Sequence, residues 1–384
     1  MKTARRPPNP AEKLDIGLLM SSLGLMRGGL ETQALHLAEG LVARGHRVSV
    51  VAGWRPSSDL AGLPARCIKV PCIPANLLPW HLVGRFRPGW PLRVQSLSFA
   101  LSCQLNRQVR NLIDLADVTM TFLEIETVKF STWRERRGQP NVSYFPGGID
   151  WGWLRRDRSV MRLAFSQMLA DCYRDVAGFH IDGVVLPGVP DEWLQIPYVV
   201  QAQVQTLIFV GRLEPNKGIM DLLTIFDLLA SEYPELRLRI LGDGPLRRVV
   251  ERRLAGSALS QRVTCLGSVP PSQVRRELQQ ADLFLFPSHY ESLGMAVLEA
   301  QAVGVPVVAS DIPGIREALG GAGRLVTPDD ERLWVEAVGG LIQDQAQRER
   351  MSRVGRQRAR QFTWGRAVDD LEDYLRLAVE RHRR

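Results

Sequence analysis

An apolar run at residues 14–20 gives way to a polar, glycine-containing stretch at 21–29, and then to apolar residues at helical spacing, Leu35, Leu37, Ala38, Leu41 and Val42. The run reads as a buried strand, the stretch as a loop, and residues 31–44 as an amphipathic helix. Gly45 ends that helix, since a residue without a Cβ enters the left-handed region freely. Residues 48–52 are the next apolar run. Strand, helix and strand in that order predict parallel strands joined by a helical crossover. The same alternation returns after position 200, with apolar runs at 207–210, 236–241, 263–266, 283–286 and 305–309 separated by helical sequence such as 219–231. Two doubly wound α/β domains are therefore expected. Between them, residues 186–197 carry Pro187, Gly188, Pro190 and Pro197 with little periodicity. The expected boundary falls there, giving a first domain over 1–190 and a second over 191–364.

A length of 384 residues suits two cores better than one. Lys and Arg outnumber Asp and Glu by 49 to 41, a balance that favours phosphate-bearing ligands or anionic surfaces. No nucleic acid is expected as a partner, because none of the recognised aromatic–basic modules is present. Arginines in helical stretches (Arg247, Arg248, Arg252, Arg253, Arg353, Arg356, Arg358, Arg360) read as solvated helix faces. The five cysteines are scattered and form no CxxC pair, which disfavours a disulfide framework or zinc site and fits a cytoplasmic setting. The apolar run behind Arg5 and Arg6 is broken by Asp15 and has no small-residue cleavage site, so it reads as a first strand and not a signal peptide. No run of about 18 apolar residues occurs, so no transmembrane helix is expected. Residues 76–96 mix Trp80, Trp90, Leu77, Leu78 and Phe86 with Arg85, Arg87 and Arg93. That mixture suits peripheral contact with the inner face of a membrane or with a lipid-linked acceptor; a long proline-set loop folded onto its own domain is the other reading.

Two stretches carry candidate chemistry. The first, Gly211-Arg212-Leu213-Glu214-Pro215-Asn216-Lys217-Gly218, lies between a predicted strand and a predicted helix. Arg212 offers a planar fork of donors and Lys217 a point charge beside a helix start, where anions are already favoured. Together they describe a diphosphate cradle, although the order of residues is not that of a P-loop. The second stretch holds Glu291 and Glu299, with Leu293 and Gly294 between them at a helix start. One carboxylate can accept bonds from sugar hydroxyls and the other from a ribose, while backbone N–H groups near Leu293 and Gly294 meet a phosphate. A paired-acid hydrolase competes less well, because its carboxylates must face each other across a scissile bond.

The 211–218 loop, the stretch ESLGMAVLEAQAVGVPVVAS, the segments DIPGIREAL and GAGRLVTPDD and the closing QFTWGRAVDDLEDYL resemble retaining glycosyltransferase family four. The resemblance covers nearly all of 205–375 and implies a GT-B fold, two Rossmann-like domains facing each other across a cleft. It also implies a C-terminal helix, about 365–384, that crosses back to the first domain. It gives Arg212, Lys217 and Glu291 catalytic roles at the donor diphosphate and sugar. Gly28, Gly29, Gly211, Val269, Leu293, Gly294 and Glu299 would bind the donor. Gly242-Asp243-Gly244 matches a glycine turn that is architectural. The sequence departs from the family at 117–122, where many members carry a histidine; Glu124, Glu126 or His81 could stand in, and the sequence does not choose. The implied activity is retaining transfer of a sugar from a nucleotide-diphosphate-sugar donor to a glycan or lipid-linked acceptor. No DxD motif occurs, so no metal and no further cofactor are expected. A non-catalytic GT-B partner subunit in a glycan assembly complex and another nucleotide-sugar enzyme, such as an epimerase, remain as alternatives.

Overall fold

The structure is a computed structural model and describes residues 12–23, 29–53, 63–72, 90–122, 124–145, 147 and 155–383. The chain divides into two compact units, Met1–Gly188 with Trp364–Arg384, and Val189–Thr363.

The first unit runs β1 (Asp15–Met20), α1 (Gly29–Ala43), β2 (Arg47–Gly53), β3 (Arg66–Val70), α2 (Trp90–Leu105), α3 (Arg107–Leu115), β4 (Val118–Thr121), α4 (Glu124–Glu135), β5 (Asn141–Phe145), β6 (Met161–Ala164), α5 (Gln167–Ala177) and β7 (Gly183–Val184). Its sheet has the order β3-β2-β1-β4-β5-β6-β7, parallel throughout. Every residue of β4 and β5 is buried, as expected of strands covered on both faces. Helix starts follow local chemistry. Asn106 accepts the N–H groups of Gln108 and Val109 to cap α3, and Ser166 accepts that of Leu169 to cap α5. The Arg134 guanidinium is buried and donates to the carbonyls of Ala116 (2.9 Å) and Pro140 (3.1 Å), tying α4 to the turns before β4 and β5.

The second unit runs α6 (Asp191–Leu194), β8 (Thr206–Val210), a 3-10 turn (Pro215–Lys217), α7 (Ile219–Glu232), β9 (Arg237–Leu241), α8 (Arg247–Leu254), β10 (Val263–Gly267), α9 (Pro271–Gln279), β11 (Leu283–Phe286), α10 (Met295–Val303), β12 (Val307–Ser310), α11 (Pro313–Leu319), β13 (Arg324–Val326), α12 (Glu331–Gln343) and α13 (Gln345–Ala359). The sheet order is β10-β9-β8-β11-β12-β13, again parallel. The final helix, α14 (Trp364–Arg383), belongs to the first unit. It buries Val368, Leu371 and Leu375 and packs against α1, where Gly40 leaves room for Val368.

The two units part between Gly188 and Val189, inside the segment 186–197, where Val189 donates its N–H to the Phe362 carbonyl at 2.9 Å and Trp193 in α6 is buried. One sequence reading is corrected here. Arg356 and Arg358 are not solvated side chains. Arg356 donates to the carbonyls of Ile196 (2.6 Å), Leu194 (2.8 Å) and Val303 (2.9 Å), and Arg358 to that of Glu317 (2.6 Å). Carbonyls at the ends of α6, α10 and α11 lack intrahelical partners, and these arginines supply donors. Of the aromatic–basic stretch, residues 76–89 lie outside the described residues and 90–96 open α2. No helix among the described residues is long and apolar enough to cross a membrane.

Each sheet reverses its strand order once, between β1 and β4 in the first unit and between β8 and β11 in the second. Loops leaving the carboxyl ends of such neighbouring strands run to opposite faces, and the crevice they open is where α/β sheets bind ligands.

Candidate active site

In the second unit, both candidate stretches leave the strands at that reversal. The loop after β8 ends in the turn Pro215–Lys217, closed by Gly218 at φ +65°. A Cβ on Gly218 would overlap the Pro287 carbonyl oxygen, so only glycine lets this loop touch the one after β11. The Asn216 carbonyl accepts the His289 N–H and the Ser288 hydroxyl, each at 2.8 Å. Held in this way, Lys217 Nζ lies 2.5 Å from Glu291 Oε1, and neither side chain is more than 19% exposed. Ser288 Oγ stands 3.4 Å from the same oxygen.

Gly294, at φ +90°, opens α10, and Leu293 beside it is buried. The start of α11 closes on this loop, since a Cβ at Gly314 would overlap the Glu291 carbonyl. Glu299 is the fifth residue of α10, a little over one turn in. Although the residue as a whole is partly open, its carboxylate finds no partner among the described residues, and desolvation raises its pKa to about 7.

Arg212 is placed differently from Lys217. Its guanidinium is 48% exposed and paired with Glu214 at 2.7 Å within its own loop. Gly211 is braced from behind: it donates its N–H to the Leu241 carbonyl at 2.9 Å, and a Cβ at Gly242 would overlap its own carbonyl. Asp243 accepts the Leu213 N–H at 3.0 Å, so the turn 242–244 acts as a buttress. Val269 is partly buried just beyond β10, an edge strand separated from β8 by β9. His289, which the sequence reading passed over, bridges Asp221 (2.7 Å) and Asp329 (3.3 Å) and pins the outer side of the loop. A lone histidine in a loop carries no spacing signal, so only the fold reveals it.

In the first unit, Gly28 lies outside the described residues and Gly29 is the exposed first residue of α1. Of the three stand-ins for the absent histidine, His81 and the Glu124 side chain are outside the described residues. Glu126 is fully buried, and each of its carboxylate oxygens accepts the Ser21 N–H at 3.2 Å; Ser96 Oγ donates to one of them, also at 3.2 Å. Burial raises its pKa to about 7 in spite of these bonds. Glu126 therefore ties the end of β1 to α4, the helix that follows β4, and so braces the reversal point of the first sheet.

The fold is that of the GT-B glycosyltransferases, two Rossmann-like parallel-sheet domains in one chain. Residues 198–358 match the family model described as Glycosyl transferases group 1. It is 35% identical over 177 residues to a D-inositol 3-phosphate glycosyltransferase of Corynebacterium urealyticum, which is 44% of this chain and 42% of that protein. It is also 32% identical over 161 residues to a glycogen synthase of Mycobacterium tuberculosis, 41% of this chain and 39% of that one. The chain thus spans about two fifths of the length of the curated relatives it matches. Among solved structures, the sucrose-phosphate synthase of Thermosynechococcus elongatus aligns with a TM-score of 0.76 at 19% identity, covering 94% of this chain and 98% of that one. Anabaena Alr3699/HepE in complex with UDP and glucose aligns with a TM-score of 0.74 at 17% identity, covering 94% and 99%.

Proposed function

We propose that the protein is a retaining glycosyltransferase that moves a sugar from a nucleotide-diphosphate-sugar donor to a hydroxyl of a glycan or lipid-linked acceptor. The observation that carries this reading is the contact of Lys217 with Glu291 across the two loops at the strand reversal, with the unpartnered Glu299 on the helix that follows. The family match covers the unit that holds all three residues, and one structural neighbour was solved with UDP and glucose.

In this proposal Lys217 and Arg212 meet the diphosphate. The bond from the anomeric carbon to the phosphate oxygen breaks, and the two cations stabilise the negative charge that grows on the leaving group. The acceptor oxygen attacks on the same face, and its proton passes to the departing phosphate. Arg212 exchanges Glu214 for a phosphate oxygen on binding, and exposure makes that exchange easy. Glu291, fixed by Lys217 and Ser288, has a second oxygen for sugar hydroxyls. Glu299 takes the ribose hydroxyls, which satisfy a carboxylate that otherwise lacks a partner. Gly211, Leu293 and Gly294 contribute backbone to the phosphates, with Val269, Gly28 and Gly29 at the edges of the donor. The proposed setting is cytoplasmic, at the inner face of a membrane if the acceptor is lipid-linked. No step is routed through a metal or cofactor.

A thermal-shift screen against nucleotide sugars identifies the donor, since a ligand of the native state raises the melting temperature with concentration. Transfer by Arg212→Ala and Lys217→Ala proteins is then expected to fall about a hundredfold or more. Near wild-type transfer by folded variants would defeat the assignment.

A further inference from the structure

We infer that the first unit carries an anion site of its own, away from the reversal point of its sheet, which takes a ligand bearing two or more phosphate groups. A concavity of about 660 Å³ is lined by Arg110 from α3, Lys129, Arg136 and Arg137 from α4 and the turn that follows it, and Arg156 and Arg158 ahead of β6. No acid lines it. Arg137 is held by Asp114 at 2.8 Å and lies over the Trp133 ring, 5.1 Å from its centroid. Arg110, Lys129, Arg136 and Arg158 are exposed and make no side-chain hydrogen bond or ion pair among the described residues.

Solvated arginines are common on protein surfaces, and the charge alone would not make a site. The second observation is Trp133, which also lines the concavity. It is 7% exposed, and its indole N–H is buried without a partner among the described residues. A buried donor left without an acceptor is costly, and a bound oxyanion that reaches it would relieve that cost. The ring stacks on Phe130 and belongs to the hydrophobic core of the unit. Guanidinium forks match phosphate oxygens in pairs, and clustered cations in a concavity focus positive potential. The volume suits a small ligand of two or three phosphates or a single headgroup, not a polymer.

The second half of α4 leads to the start of β5, and residues 156–158 lead to the start of β6. The concavity therefore lies toward the amino ends of the strands. Ser21 and Glu126 stand at their carboxyl ends, so the new site is separate from the sheet reversal.

The ligand could be a free oligophosphate or the headgroup of an anionic lipid, and two probes distinguish them. The full chain is titrated with inorganic tripolyphosphate, and separately sedimented with vesicles of cardiolipin, which carries two phosphates, in phosphatidylcholine or of phosphatidylcholine alone. Lys129→Gln/Arg158→Gln changes only exposed side chains and Trp133→Phe removes the indole donor, while Lys217→Ala disables the proposed donor site. Affinity for one of the probes is expected to fall about tenfold or more in the double variant and about threefold in Trp133→Phe, with Lys217→Ala unchanged. Binding of tripolyphosphate identifies a soluble ligand, and binding of anionic vesicles alone identifies a headgroup. The inference is overturned if neither probe binds, if the double variant binds as wild type does, or if only Lys217→Ala loses affinity. A short single-stranded RNA that outcompetes tripolyphosphate through the same residues would also overturn it.

Discussion

Glu299 is the residue whose chemistry depends most on what binds beside it. Its carboxylate is desolvated and unpartnered, so the ionised form is disfavoured and the pKa rises to about 7. A carboxyl whose folded pKa lies above its unfolded value costs the native state nothing at low pH. Stability is lost as pH rises from the unfolded pKa of about 4.3 toward the folded one. Glu299→Gln is therefore expected to exceed wild type slightly in denaturant at pH 5 and by clearly more at pH 8. If ribose hydroxyls bond to the ionised carboxylate, nucleotide binding releases a proton near pH 7. Donor affinity then rises between pH 6 and 8 in wild type and stays flat in Glu299→Gln, which calorimetry in buffers of different ionisation enthalpy would read. Arg212 supplies a second test at this scale. Its bond to Glu214 competes with phosphate, so Glu214→Gln is expected to tighten donor binding by about two- to fivefold, measured as KM. The basic pair and the spaced acids were legible in the sequence because each type has few other uses in a loop at a helix start. Which cation meets which acid was not. Lys217 reaches Glu291 across 74 residues of chain, while Arg212 turns to a neighbour two positions away.

At the scale of elements, the short apolar runs gave β1, β2 and β8 to β12 to within a residue or two, since a strand covered on both faces has no alternation to misread. Helix α10 was also readable, because Gly294 marks its start and Gly304 its end. The way loops lock together left no local trace. Gly218 reads as an ordinary helix-starting glycine, yet its φ of +65° and the Pro287 carbonyl against it make it the contact point of the two ligand loops. Gly218→Ala should destabilise the second unit by about 2 kcal/mol or more, because the left-handed conformation costs an alanine roughly 1–2 kcal/mol and a backbone carbonyl cannot rotate away. It should also raise the KM for donor, since Lys217 and Glu291 lose their register. Urea denaturation and steady-state kinetics on one preparation would separate the two effects. A variant as stable as wild type with unchanged KM would show that the loops do not depend on this contact. In the segment 186–197 the prolines signal irregular backbone, but say nothing about whether Trp193 is buried.

At the scale of the molecule, the two-unit plan follows from the repeated alternation of runs, whereas the ownership of the last helix depends on contacts far apart in sequence. In α14, Val368, Leu371, Leu375 and Val379 are buried, and each such side chain contributes about 1.5–3 kcal/mol. Four of them amount to about 6–12 kcal/mol, comparable to the whole stability of a domain. Polar contacts add direction to this packing. Arg44 pairs with Asp369, Trp364 stacks on His36 with ring centroids 4.4 Å apart, and His46 Nε2 lies 3.2 Å from Glu372. His46 accepts the Leu14 N–H on Nδ1, and burial holds its pKa below the usual value, so it stays neutral and joins the amino ends of β1 and β2. A chain ending at Thr363 should therefore lose the first unit and keep the second, whose sheet, helices and proposed donor residues all lie in 189–363. Calorimetry of the truncated chain should show one transition where the full chain shows the unfolding of two cores, and nucleotide should still raise the midpoint of that transition. Loss of both units would mean that α14 supports the second sheet as well as the first, and retention of both would mean that its buried face contributes far less than its apolar area implies.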